Sequence, residues 1–261
     1  MRKIVVNIFW IYALATLGVS FSGFFGVQVP PIVTVLLTVL GFTFALLHAA
    51  VTIGWRNSAL FVIFTLVISL IFESIGVATG LIYGPYHYTD KLGPLFLGLV
   101  PYLIPLAWFM MMYPSWLIAE RIVPAGWPGW QRKLAVAALG GLAMTAWDLA
   151  MDPFMVKIGH WVWETDGAYF GIPLQNYWGW WLTSFVTLAG FVFLAKPEAN
   201  LRVNRIGNPQ DFFHFERLAI YTYAINGLSS ILTDVNVNLG GPALVGLFAM
   251  LPWVVIAIRS D

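Results

Sequence analysis

Three acidic residues stand inside otherwise apolar stretches of the chain. Glu73 lies in the segment ESIGVATG, and Asp148 and Asp152 lie in TAWDLAMDP. A spacing of four places the two aspartates on one face of a helix, one turn apart. Because two like charges in a poorly solvated site do not both ionise readily, we expect one carboxyl to keep its proton near neutral pH. That carboxyl would be a proton donor.

Each carboxyl also has a purely structural interpretation. Asp152 could be an interfacial carboxylate, and Glu73 and Asp148 could join helices through hydrogen bonds. Ionisable residues inside membrane segments are functional candidates by default, so we favour function for the three together. Pro153, directly after Asp152, predicts that the helix breaks there.

Polar and aromatic residues are dense in two connections, residues 80–94 and 152–177. Tyr83 and His87 are further catalytic candidates, and the tips of the first connection could line the mouth of a pocket. His87 could be an acid, a base or a metal ligand, or it could make an interfacial hydrogen bond. The four histidines show no metal-binding spacing, and carboxylates would have to join His87 and His160 in space to hold an ion. We therefore expect no metal.

Aromatic and amide side chains provide the candidates for substrate binding. Aromatic rings can contact a flat apolar substrate or a cation, although an interfacial belt explains most of the thirteen tryptophans more simply. Gln175 and Asn176 could orient a water or cap the helix that follows. The candidates are Trp108, Trp147, Tyr86, Tyr88, Tyr169, Gln175 and Asn176, with Trp161 and Trp163 as further ring faces.

The composition indicates how these residues are positioned. Hydrophobic residues make up 60% of the 261 and charged residues 10%, where soluble domains carry roughly 25% charged residues. Several apolar runs reach the length of about 20 residues that crosses a bilayer. The sequence thus predicts one all-α, multi-pass domain over residues 1–261, in the cell membrane and in contact with its lipids. The predicted spans are residues 4–25, 31–53, 58–79, 95–119, 133–151, 178–194, 215–232 and 243–258.

The positive charges give the orientation, because Lys and Arg favour cytoplasmic loops. Eight spans with cytoplasmic N- and C-termini leave only Lys91 and Lys157 outside. Both connections rich in polar residues then lie on this outer, positive-poor face. The residues predicted inside are Arg2, Lys3, Arg56, Arg121, Arg132, Lys133, Lys196, Arg202, Arg205, Arg217 and Arg259.

Several classes of function are excluded. The net charge is +1 and no block of Lys or Arg occurs, so we expect no nucleic-acid partner. The absence of cysteine excludes disulfides, thiolate nucleophiles and Cys-containing metal sites. No GxSxG, P-loop or GxGxxG motif stands in a suitable setting, so hydrolase and nucleotide-binding functions have no support.

Four segments, in order, resemble the carotenoid biosynthesis membrane proteins that include carotenoid hydratases. They are ESIGVATGLIYGPYHYTDKLGP, IPLAWFMMMYPSW, MTAWDLAMDPFMV and GAYFGIPLQNYWGWWLTSF, and they cover about residues 73–185. The resemblance implies that water adds, without a cofactor, to the terminal double bond of an acyclic carotenoid. Under this hypothesis Asp148 donates the proton, Asp152 tunes it or accepts a proton from water, and Glu73 is a second base or an anchor. Tyr83 and His87 would complete the polar end.

Three other functions remain open at this stage. A carotenoid end-group cyclase or isomerase would also protonate the alkene but would capture the cation internally. A proton-coupled transporter would use the carboxyls as a relay, although the chain shows no inverted repeat. A non-catalytic carotenoid-binding partner would not need the acids. The sequence also leaves open the particular carotenoid and whether one or both of its ends react. It does not decide which carboxyl donates the proton, whether histidines and carboxylates together bind a metal, or the oligomeric state.

Overall fold

Long α-helices make up most of the chain in a computed structural model, which describes residues 1–195 and 209–260. Within these ranges there are eight α-helices and four short strands. Seven of the helices are long and apolar enough to cross a membrane. The predicted all-α integral membrane bundle is therefore confirmed. The helices are α1 (Arg2–Ser22), α2 (Pro31–Thr52), α3 (Gly54–Thr79), α4 (Leu103–Ile122), α5 (Gly129–Lys157), α6 (Leu174–Leu194), α7 (Pro209–Asn236) and α8 (Gly240–Arg259), and the strands are β1 (Tyr86–Tyr88), β2 (Leu95–Phe96), β3 (Val100–Pro101) and β4 (Trp161–Trp163).

Of the eight described helices, α7 is the one that is not apolar enough to count among the seven candidate membrane spans. It packs against α1, α4, α5 and α8, so protein surrounds much of its surface. Asn226, Ser230 and Asp234 are buried along it. Polar side chains in a membrane bundle are stable when they face the protein interior and not the lipid, which explains how this helix carries them.

The cytoplasmic side of the bundle, as predicted from the charges, is joined by ion pairs. Arg121 of α4 donates to Glu216 of α7 at 3.0 Å, and both side chains are almost fully buried. Arg121 also donates to the carbonyl of Ala257 near the end of α8. Three residues predicted on this side, Lys196, Arg202 and Arg205, lie outside the described residues.

The prediction that the fourth helix starts at residue 95 is wrong, because α4 begins at Leu103. The preceding residues form a hairpin in which β2 and β3 pair antiparallel. Leu97 and Gly98, between these strands, have φ values of 51° and 72°, in the left-handed region that tight hairpin turns use. Hydropathy is continuous across this stretch, but the turn makes a continuous helix impossible.

A second small sheet joins the two connections on the outer face. Strand β1 pairs antiparallel with β4, and Tyr86 lies opposite Trp163 while Tyr88 lies opposite Trp161. Side chains alternate between the two faces of a strand, so both tyrosines point to one face and His87 points to the other. The tyrosines are largely buried, whereas the side chain of His87 is 55% exposed.

The predicted break of the fifth helix near Asp152 is also wrong, because α5 continues through Pro153 to Lys157. A proline inside a helix leaves the carbonyl four residues earlier without its N–H donor. That carbonyl belongs to Leu149, and the hydroxyl of Tyr169 donates to it at 2.8 Å. A side chain from the following loop therefore replaces the missing backbone hydrogen bond.

This replacement predicts a dependence between two positions. Tyr169→Phe should lower the free energy of unfolding by about 1 kcal/mol, since it removes one partly buried hydrogen bond. In a Pro153→Ala background the loss should be much smaller, because the restored N–H can satisfy Leu149. Thermal unfolding in detergent, followed by circular dichroism, measures both, and Tyr102→Phe at an exposed position is the control. Equal losses in the two backgrounds would contradict this explanation.

Candidate active site

The Glu73 carboxyl is held by three hydrogen-bond donors from outside its own helix. The hydroxyls of Tyr86 and Tyr88 both donate to Oε2, the second at 2.9 Å. The indole N–H of Trp108, on α4, donates to Oε1 at 2.9 Å. Glu73 itself is only 3% exposed. Three donors aimed at one buried carboxyl replace part of the hydration that it loses on burial.

The two tyrosines remain neutral donors. Burial first, and then the charge of Glu73, raises the pKa of Tyr86 and of Tyr88 well above the ordinary tyrosine value. Their hydroxyls therefore keep their protons at physiological pH and can donate to Glu73 throughout.

Asp148 and Asp152 form a pair of carboxyls on α5, and both are fully or almost fully buried. The side-chain amide of Asn176 donates to Oδ2 of Asp148 at 2.7 Å and to Oδ2 of Asp152 at 3.0 Å. Trp161 donates to Oδ1 of Asp152 at 2.6 Å. Oδ1 of Asp148 has no partner among the described residues. The helix spacing and one amide from α6 thus bring the two acids together, as the sequence predicted for the pair.

The ring of Tyr83 packs between Gly76 of α3 and Gly179 of α6. A Cβ added at either Gly76 or Gly179 would lie 2.5 Å from a carbon of its ring, so only glycine at these two positions leaves room for the tyrosine. Its hydroxyl pairs with Thr183 at 2.8 Å and makes no hydrogen bond to any carboxyl within residues 1–195 and 209–260. Burial, and then the Glu73 charge, raises its pKa well above the ordinary value. The Tyr83 ring thus fills the space between α3 and α6, and its hydroxyl keeps its proton.

A cavity of about 610 Å³ opens beside Glu73. This volume falls within the range of roughly 300–1,000 Å³ that is usual for small-molecule sites. The cavity extends to the exposed connection between α1 and α2, at Val27, Gln28 and Val29. Among the acidic residues that the structure describes, Glu73 alone lines it, and Asp152 is connected to it through Trp161.

Aromatic rings surround the Glu73 end of the cavity. Trp180 stacks on Trp108 with ring centroids 4.2 Å apart, and Trp147 meets Trp180 edge-on at 5.9 Å. Tyr88 and Trp161 make a similar edge contact at 5.8 Å. All five rings line the cavity. Their negative π-faces can stabilise a positive charge that develops there.

His160 also lines the cavity and is 3% exposed. Burial lowers its pKa to about 4, and the nearby charge of Lys91 acts in the same direction, so the ring is neutral at physiological pH. Its two nitrogens have no partner among the described residues. Among all residues that the structure describes, no three His, Cys, Asp or Glu side chains come together in a way that could hold a metal.

Comparison with known proteins assigns the chain to a family. The family model described as carotenoid biosynthesis protein matches residues 33–252. The chain is a member of this family. A bisanhydrobacterioruberin hydratase from Haloarcula japonica is 34% identical over 122 residues, which cover 46% of this chain and 40% of that protein. The match therefore spans less than half of the relative, and no solved structure matches the chain significantly.

For this carotenoid biosynthesis protein, the structure separates the predicted site residues into two groups. Those near the carboxyls are Glu73, Asp148, Asp152, Tyr86, Tyr88, Trp108, Trp147 and Asn176. His87 lies apart from them, with Nδ1 3.2 Å from an exposed Glu164 carboxylate. Gln175 donates to the carbonyls of Gly80 and Leu81 and so caps the end of α3. Tyr169 satisfies the α5 carbonyl described above.

Sequence reasoning missed Trp180 and the polar residues that α1, α2 and α7 contribute to the cavity. Trp180 belongs to the WGWW run of the fourth family segment, where the sequence alone does not distinguish an interfacial ring from a cavity ring. The hydroxyl residues of α1 and α7 recur at spacings of three and four, which is the periodicity of one helix face. This spacing could have predicted that the hydroxyls share one face of each helix.

The shared amide of Asn176 gives a test of the aspartate pair. Asn176→Leu should lower the free energy of unfolding by about 2 kcal/mol, because it leaves two buried carboxyls without their common donor. Asp148→Asn in the same chain should recover most of that loss, since an amide at position 148 can donate to Asp152. Thermal midpoints of the single and double variants in detergent measure the recovery. A double variant less stable than Asn176→Leu alone would contradict the arrangement.

Proposed function

We propose that the protein is a carotenoid hydratase that adds water across the terminal C1=C2 double bond of an acyclic carotenoid end group, without a cofactor. The observation that carries the proposal is the position of Glu73, a buried carboxyl on the wall of an aromatic cavity. Membership of the carotenoid biosynthesis family supports the substrate class, and the relative named as a hydratase supports the reaction.

The first step is protonation of a carbon atom. An isolated alkene has no carbonyl or leaving group to activate, so an acid has to reach the terminal carbon directly. Asp148 was the donor that the sequence hypothesis favoured, but in the described chain Glu73 is the acidic residue that lines the cavity. We therefore assign the proton donation to Glu73.

Three hydrogen-bond donors remain on Glu73 during the proton transfer. When Glu73 gives up its proton, the hydrogen bonds from Tyr86, Tyr88 and Trp108 stabilise the carboxylate that remains. The apolar surroundings retain the proton until the substrate arrives, and they exclude bulk water from the reacting centre.

The second step is stabilisation and capture of the tertiary cation. Trp108, Trp147 and Trp180 present ring faces and edges within the cavity, and a desolvated cation–π contact contributes on the order of 2 kcal/mol. Water then forms the C–O bond and releases one proton, which the Glu73 carboxylate accepts. The product is a tertiary alcohol, and the enzyme returns to its starting protonation state.

Asp148 and Asp152 do not line the cavity, and we propose that they act on it through their charge. Trp161, which lines the cavity, donates to Asp152, and Asn176 joins Asp152 to Asp148. A negative charge on the pair stabilises a positive charge that develops in the cavity. The substrate is a lipid-soluble polyene, and we propose that it enters from the membrane through the opening near Val27 and Val29.

Glu73→Gln provides the direct test. The full chain is expressed in a host that makes lycopene or a similar acyclic carotenoid, and the extracted pigments are analysed by mass. The wild type should give a product heavier by one water, and Glu73→Gln should reduce it by at least about a hundredfold, because general-acid catalysis contributes that much. The matched control is Glu164→Gln, which changes an exposed acid outside the cavity.

Each alternative outcome of this experiment has a defined meaning. Near-normal hydration by Glu73→Gln would remove Glu73 from the proton donation. A wild-type product of altered absorbance but unchanged mass would identify a cyclase or isomerase instead of a hydratase.

Asp148→Asn distinguishes the two carboxyl clusters. If Asp148 acts through its charge and not by contact, the variant should fold and lose about tenfold in hydration, well short of the Glu73→Gln loss. Hydrated product measured per amount of folded protein in the membrane gives the ratio. A loss as complete as that of Glu73→Gln would return the donor role to Asp148.

A further inference from the structure

The cavity has a second wall that differs in chemistry from the aromatic end. Three helices, α1, α2 and α7, contribute hydroxyl side chains to it, and we call this set the hydroxyl wall. Its members are Thr16, Ser20, Thr34, Thr38, Ser229, Ser230 and Thr233.

Three of these hydroxyls make no hydrogen bond to a described residue. Serine and threonine inside helices usually donate to the carbonyl four residues earlier, as Thr38 does to Thr34 and Thr233 does to Ser229. The three are the hydroxyls of Thr16, Ser230 and Thr34. Thr16 lies next to the Tyr12 hydroxyl, whereas Ser230 and Thr34 have no such neighbouring hydroxyl among their recorded contacts. Ser230 is 8% exposed and lines the cavity. A buried hydroxyl without a partner is costly, and such groups are commonly satisfied by bound water.

The hydroxyl wall also connects the cavity to the outer face. On α1 it runs from Thr16 through Ser20 towards Gly23, a rise of about 10 Å along the helix. Ser20 and Ser229 share a hydrogen bond of 2.7 Å across α1 and α7. Gln28, beyond the end of α1, and Asn236, the last residue of α7, continue the polar lining. At the inner end, Tyr12 donates to Asn226 at 2.7 Å.

We propose that the hydroxyl wall, through Ser230 and Thr34, binds the water molecule that adds to the substrate; this rests on the proposed hydratase function. Glu73 and the tryptophans then meet the alkene at one side of the cavity, and water meets it at another. A lone pair of the bound water forms the C–O bond to the cationic carbon. The proton released from that oxygen passes to the Glu73 carboxylate, so atoms and charge balance.

The proposal separates two events that one variant can uncouple. Protonation by Glu73 does not need the hydroxyl wall, whereas capture by water does. A cation that is not captured loses a proton and returns to an alkene. In D2O, that return leaves deuterium in the unhydrated carotenoid, so the label reports protonation independently of hydration.

The experiment uses the full chain in membrane vesicles, an acyclic carotenoid and D2O. The variant is Ser230→Ala with Thr34→Val, which removes two hydroxyls and changes volume little. The control is Thr187→Val, a buried threonine on α6 that does not line the cavity. We expect the ratio of hydrated product to deuterium-labelled alkene to fall about tenfold in the variant, the effect of losing two hydrogen bonds to water. It should stay at the wild-type value in the control.

Two results would overturn the proposal. An unchanged ratio would show that these hydroxyls do not hold the reacting water. An equal loss of hydrated product and labelled alkene would mean that the wall supports the fold or the substrate instead, and the thermal midpoint separates those two causes. A wild type that forms neither species contradicts the hydratase function itself, a result that does not depend on the wall variants.

Discussion

A carboxyl group buried in a membrane protein needs donors that compensate for its lost hydration, and this requirement organises the outer half of the bundle. Glu73 is on α3, but its donors come from β1 and from Trp108 on α4. The connection after α3 must therefore fold back over the helix that it leaves. Pairing of β1 with β4 then brings Trp161 to Asp152, so the second connection is fixed by the same requirement.

The sequence predicted those features that depend on local patterns. Apolar runs gave the helices, and a spacing of four placed Asp148 and Asp152 together. It failed where distant contacts decide the backbone. The loop residue Tyr169 lets α5 continue through Pro153, and the hydropathy pattern cannot predict that contact. His87 lies apart from the carboxyls for a simpler reason, since the alternating run Tyr86–Tyr88 is a strand that turns its middle residue outward.

The cavity was harder to predict than the carboxyls. An acid in an apolar run is conspicuous because it is costly, whereas one serine or threonine in such a run is ordinary. Ser230 and Thr34 become informative only when α2 and α7 pack around the same space, and that packing is a property of the whole bundle. The same holds for Trp180, whose stacking on Trp108 depends on how α4 and α6 meet.

The asymmetry of the cavity bears on which reaction it suits. A tertiary cation formed beside the Glu73 carboxylate has a base within reach at once, so in a wholly aromatic pocket it would return its proton and revert to an alkene. Hydration succeeds only if a water molecule is already in contact when the cation forms, because exclusion of bulk water leaves no time for one to arrive. A cyclase has the opposite need, since its nucleophile is a second double bond of the same chain and hydroxyls nearby would favour the wrong product. A cavity with rings at its acidic end and hydroxyls from α1, α2 and α7 along another wall therefore favours capture by water.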